Sequence, residues 1–163
     1  MRLLIPSLLG AAVLCAPAVL AAKDALGVFE NWAAFAEADV RRCYAIALPL
    51  PSGAKREVQP FASVADWPTR RVRGEVYFRI GRAVRPGSRI SLRVGNRWYP
   101  MTGSGTHAWA LDSRTNSQIL AAMRVSEIMT VAAFDRRGIR FTDRYPLRGA
   151  ATAMDSVRLA CQR

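Results

Sequence analysis

His107 is the only histidine in the chain, and Ser104, Thr106 and Asp112 lie close to it in sequence. A hydroxyl, an imidazole and a carboxylate are the parts of a hydrolytic triad, in which the ring takes the hydroxyl proton and the acid orients the ring. Ser104-Gly105-Thr106-His107 lacks the flanking glycines of a nucleophile elbow, and no strand pattern leads sharply into it. A loop histidine on a protein surface is the plainer reading, so no catalytic residue is assigned. Metal chemistry has still less support. One histidine and a pair of cysteines leave too few strong ligands for zinc. Asp24, Glu30, Glu37 and Asp39 are spread without the spacing of a calcium loop. No glycine-rich phosphate loop follows a strand and opens a helix, so no nucleotide or other cofactor is expected.

The arginines carry the positive signal. The chain has a formal net charge of +12, and Lys23 and Lys55 are its only lysines. In Val72-Arg73-Gly74-Glu75-Val76-Tyr77-Phe78-Arg79-Ile80, apolar or small residues alternate with charged or amphipathic ones, the period of a half-buried strand. Ile90, Leu92 and Val94 alternate in the same way with Arg89, Ser91 and Arg93. Alternation places Arg73, Arg79, Arg89 and Arg93 opposite the apolar side chains, together on one outer sheet face. Like charges across a ladder repel mildly, so the arrangement invites an anionic partner. A solvated strand face in an arginine-rich chain has the same pattern. Trp98, Tyr99 and Trp109 form either an aromatic platform for sugar or, more commonly in a small β domain, part of the core.

The elements that must position these residues are short. Phe29, Trp32, Ala33, Ala36 and Val40 fall at helical spacing and predict a short helix. Cys43 to Leu50 reads as a buried strand closed by a Pro-Ser-Gly turn, and residues 52–60 as polar loop. Gly95-Asn96 is a tight turn joining the Ile90 strand to Arg97-Trp98-Tyr99. Met129–Phe134, Gly138–Thr142 and Arg144–Leu147 predict three further strands, with Asp135-Arg136-Arg137-Gly138 as a hairpin turn. Thr115-Asn116-Ser117-Gln118 has the spacing of a capping box and opens a helix through Ile119, Leu120 and Met123. Ala150, Ala153, Met154, Val157, Ala160 and Cys161 form an amphipathic stripe on a last helix. Many short strands with two helices predict a mainly β domain, a β-sandwich or partly closed barrel.

The N-terminus supplies the compartment. Arg2 is followed by an uncharged run from Leu3 to Ala22, which ends in small residues before Lys23-Asp24. A basic start, an apolar stretch and a small-residue exit are the pattern of a secretory signal peptide, cleaved after Ala21 or Ala22. Pro6, Gly10 and Pro17 interrupt the run and argue against a retained membrane anchor. Residues 1–22 are therefore expected to be leader and 23–163 a single mature domain. Loss of Arg2 from +12 leaves that domain at +11. It retains only Cys43 and Cys161, and two cysteines in an oxidising compartment pair by default. Such a bridge would pin the last helix to the sheet.

From Phe61 onward the order of motifs resembles the invasion-associated locus B family of exported proteobacterial proteins. The resembling residues are Pro60-Phe61-Ala62-Ser63-Val64 with Trp67-Pro68, and Arg82 to Val94 with Pro86-Gly87-Ser88. Ala108-Trp109-Ala110, Ile119-Leu120-Ala121-Ala122-Met123, Asp143-Arg144-Tyr145-Pro146-Leu147-Arg148-Gly149 and the ending through Cys161 follow in turn. Trp32 and Cys43-Tyr44-Ala45-Ile46-Ala47 fit the opening segment. Two departures mark a divergent member. Ala33-Ala34-Phe35-Ala36 holds no cysteine where many members carry one, and Arg124-Val125-Ser126 stands where a glycine is expected. The resemblance implies a compact, mostly β periplasmic or outer-membrane-associated domain without cofactor, and it makes the Trp32 segment a strand. A shared fold does not carry the host-entry role in that family's name to this chain.

The expectation is thus a non-enzymatic envelope protein, possessing no transmembrane span once cleaved. In that compartment the partner would be lipopolysaccharide phosphate, anionic lipid or an acidic protein rather than nucleic acid. The alternative is a small periplasmic hydrolase of envelope polymer, with His107 as base and Asp112 orienting it.

Overall fold

The computed structural model describes residues 23–162; the expected leader and the expected cleavage after Ala21 or Ala22 lie outside the described residues. The described residues form ten strands and two α-helices. In chain order the strands are β1 (Lys23–Phe29), β2 (Trp32–Glu37), β3 (Arg42–Ala47), β4 (Phe61–Trp67), β5 (Val72–Arg79), β6 (Ile90–Val94), β7 (Arg97–Ser104), β8 (His107–Ala110), β9 (Ile128–Phe134) and β10 (Arg140–Pro146). Helix α1 (Ser113–Met123) follows β8 and α2 (Ala150–Ala160) follows β10. All ten strands join one antiparallel sheet in the order β1-β2-β3-β4-β5-β8-β7-β6-β9-β10.

Alternation along the strands separates an inner from an outer face. Val76 and Phe78 of β5, Ile90, Leu92 and Val94 of β6, and Met129 and Val131 of β9 all point inward and are buried. A sheet this long cannot stay flat, because each strand pair adds twist. It coils until its two ends approach: Trp32 Nε1 on β2 donates to the Pro146 carbonyl on β10 at 2.9 Å. Phe78 and Tyr145 meet inside with ring centroids 5.6 Å apart. β1 and β10 do not pair, so the sheet remains an open, partly rolled barrel. The two helices cover inner surface, α2 against β1–β4 and α1 against the β5–β8 region.

The helix predicted from Phe29 to Val40 is not formed. That segment is the end of β1, a turn at Glu30-Asn31, and β2, as the family resemblance implies. Trp32 and Ala34 face the core as a strand pair, and a run rich in alanine satisfies either period. Gly138–Thr142 and Arg144–Leu147 are one continuous strand, β10, rather than two. The α1 cap is Asp112, whose carboxylate accepts from the Thr115 amide at 2.7 Å, so the expected Thr115–Gln118 capping box is not what starts the helix.

Two features lock α2 in place. Cys43 on β3 and Cys161 at the helix end form the disulfide expected from the sequence, with their Cα atoms 5.9 Å apart. Gly149 sits at the helix start with φ +87°, and a Cβ there would lie 1.8 Å from the Phe29 carbonyl oxygen. Only glycine lets α2 begin this close to the β1–β2 turn.

A candidate aromatic and basic binding face

The outer face of β3, β4, β5 and β8 is left uncovered, and the side chains of β4 make it concave. Phe61, Ser63, Ala65 and Trp67 are its outward residues, large at each end and small between. Ser63 and Ala65 are therefore a buried floor. Register fixes the walls. Ser63 lies between Ile46 of β3 and Tyr77 of β5, and Ala65 between Tyr44 and Glu75. Tyr77 in turn faces Trp109 of β8, and Arg79 faces His107. The result is a groove of about 720 Å³.

Its two ends differ chemically. At one, Tyr77, His107, Trp109 and Phe61 cluster with ring centroids 5.3 to 6.0 Å apart. The Tyr77 hydroxyl and His107 Nδ1 are 2.7 Å apart, and burial holds the Tyr77 phenol above its ordinary pKa. At the other end Trp67 is flanked by cations. The Arg42 guanidinium lies 5.0 Å and that of Arg70 4.6 Å from its ring centre. Glu37 accepts from both Lys23 and Arg42. Burial alone would raise its carboxyl pKa, but hydrogen bonds and charge from Lys23 and Arg42 outweigh that and hold it below the ordinary value. Glu75 receives the Trp67 indole N–H at 3.2 Å. Arg70 has no acidic partner among the described residues.

The four arginines nominated from the sequence do point outward, but they do not form one ladder. β8 and β7 intervene between β5 and β6. At roughly 4.8 Å per strand, Arg73 and Arg79 stand about 14 Å from the strand carrying Arg93. That exceeds the screening length of about 10 Å at 0.1 M salt. Mutual repulsion across a ladder therefore does not apply; alternation along a strand fixes which face a residue takes but not which strands are neighbours. Two arginine pairs instead flank a strip holding Trp98 and Trp109. Tyr99 is core, while Trp98 is 57% exposed and Trp109 37%. None of the four arginines joins an ion pair among the described residues.

The hydrolytic constellation is not assembled. Ser104 and His107 are cross-strand partners in the β7–β8 hairpin, yet Asp112 is occupied as the α1 cap and makes no hydrogen bond to the ring. No group of three or more metal-ligating side chains gathers among the described residues. The groove itself went unread in the sequence. Its floor depends on β4, whose mixed composition gave no clear alternation, and on pairings across distant segments.

An open, coiled antiparallel sheet braced by two helices, with an aromatic and basic outer groove, defines the class to which this domain belongs. The sequence matches no protein-family profile and no curated protein. The fold matches the crystal structure of invasion associated protein B from Bartonella henselae with a TM-score of 0.62, covering 84% of this chain and 98% of that one. Identity is 13%, so the likeness speaks for the fold. It agrees with the compact, mostly β fold that the order of sequence motifs implies. No helix among the described residues is long and apolar enough to cross a membrane.

Proposed function

We propose that this is a non-enzymatic protein of the cell envelope that holds an extended polyanionic surface against its outer sheet face. The observation that carries the reading is the set of outward arginines: Arg73, Arg89 and Arg93 are exposed and Arg79 is half-buried, and none has an acid to neutralise it among the described residues. The buried acids are engaged elsewhere: Asp143 with Arg56, Asp135 with Arg82, and Asp66 with Arg158. Separation of the two arginine pairs by about 14 Å favours many phosphates presented together over one small anion. Lipopolysaccharide in an envelope leaflet has that character. The disulfide is compatible with an exported, oxidising location.

Binding to lipopolysaccharide-containing vesicles should weaken steeply with salt. Changing all four arginines to glutamine should reduce it severely, at about 1 kcal/mol for each charge near an anionic surface. A control with Arg41, Arg114, Arg136 and Arg137 changed removes equal charge at exposed sites without ion partners. Equal loss in both variants, measured by vesicle co-sedimentation, would mean that net charge alone drives binding and that the outer face has no special part.

A further inference from the structure

We infer that the groove over β4 is a subsite for an anionic saccharide, with sugar rings at the Trp109 end and an acidic substituent at Arg70. This deepens the proposed function by naming a ligand class, and takes from it only the envelope setting. Sugar recognition asks for three things together. Apolar ring faces need aromatic surface, hydroxyls need mixed donors and acceptors, and a phosphate or carboxylate needs a cation that is not already neutralised.

The groove supplies all three in one place. Tyr77, Trp109 and Phe61 offer aromatic surface, and the planes of His107 and Trp109 are only 16° apart. Ser63, Glu75 and the phenol of Tyr77 line the same space with hydroxyl and carboxylate groups. Arg70 stands at the far end with no ion-pair partner, whereas the charges of Lys23 and Arg42 are shared with Glu37. The volume of about 720 Å³ suits a short oligosaccharide and lies within the usual range for ligand sites, roughly 300–1,000 Å³.

Other occupants fit less well. A peptide adding as a strand needs a free sheet edge, and this is a sheet face whose backbone groups are paired on both sides. An acyl chain would bury the charges of Glu75 and Arg70 with no ion-pair partner for either among the described residues.

The probe is the phosphorylated core oligosaccharide of lipopolysaccharide, freed of its acyl chains, with its dephosphorylated form beside it. Titration calorimetry and protection of tryptophan fluorescence from acrylamide should both report binding. Trp109→Ala should weaken both sugars by at least about tenfold, or roughly 1.4 kcal/mol, and Trp109→Phe should recover most of it. Arg70→Gln should weaken only the phosphorylated form. Trp98→Ala, on an exposed tryptophan outside the groove, should change nothing. Thermal melts of each variant separate lost binding from lost folding. The subsite is overturned if Trp109→Ala and Arg70→Gln bind like wild type, or if neither oligosaccharide binds at millimolar concentration. In that second case vesicle binding that still depends on Arg73, Arg79, Arg89 and Arg93 would leave the polyanion reading standing. Oligosaccharide binding without arginine-dependent vesicle binding is the converse, retaining the groove and removing the arginine face.

Discussion

At the scale of single residues, Asp112 separates two roles that the sequence left open. A triad acid would be aimed at His107, whereas this carboxylate accepts the Thr115 amide. That backbone hydrogen bond also holds its pKa below the ordinary carboxylate value. Asp112→Ala should therefore lower the melting temperature by roughly 2–4 °C, and Asp112→Asn, itself a good cap, should restore most of it. Differential scanning calorimetry reads this directly, and identical melting of Asp112→Ala and wild type would remove the capping role. Residue types alone suggested both roles. What decides is the position of Asp112 just before a helix, where the free amides of the first turn are strong donors without partners. Cys43 and Cys161 were legible for a different reason: Cys15 falls in the expected leader, so no third cysteine was expected to compete for the pairing.

Elements were legible where one face is purely apolar. β5 and β6 read from their alternation, and α2 from its stripe, because each presents one face to the core and one to water; the start of β7 read instead from the Gly95-Asn96 turn before it. β2 misled because a run rich in alanine suits a helix as well as a strand, here with Ala34 and Ala36 on the crowded inner face beneath α2 and Ala33 outward beside Ile46. β4 and β8 showed no pattern of their own, since their outer residues are small or aromatic rather than charged. The outward side chains that blur the pattern are the ones that shape the groove. The disulfide acts on this same scale, joining α2 to β3 across a sequence separation of 118. Closing a loop of that length contributes about 4–5 kcal/mol in the chain-entropy picture, and often less in practice. Replacing both cysteines with alanine should lower stability by roughly 2–5 kcal/mol. Hydrogen exchange should show α2 losing protection before the strands, because its C-terminal end then rests on side-chain packing and the Arg158–Asp66 pair. Unchanged protection of α2 in the double variant would show that packing alone docks the helix.

For the molecule as a whole, the balance of charge sets a pH window. Folding holds the pKa values of Glu37, Asp135 and Asp155 below their ordinary range, each through groups brought close only by the fold. For Glu37, burial opposes the shift and the partners Lys23 and Arg42 prevail. For Asp135, the Ile139 amide is the largest cause, with the Arg137 amide and Arg82 adding to it against burial. For Asp155 it is the hydrogen bond from Arg124. A carboxylate with a lower pKa folded than unfolded contributes its stabilisation fully above the unfolded value, about 4. It loses that contribution as pH falls through the folded value. Protonation also adds positive charge to a chain already at +12, so self-repulsion works in the same direction. The phenols of Tyr77 and Tyr145 act at the other end. Burial raises both, so their contribution is present below the unfolded value of about 10 and declines as pH rises beyond it. Lys23, raised by its hydrogen bond to Glu37, also loses its contribution only in alkali. Thermal midpoints should thus form a plateau from about pH 5 to about pH 10, with a steep acid limb below about pH 4. Glu37→Gln should lower the plateau and make the acid limb shallower, since one of the groups that titrates there is gone. A variant whose acid limb is as steep as that of wild type would show that the Lys23–Glu37–Arg42 cluster is not among the groups that set acid stability.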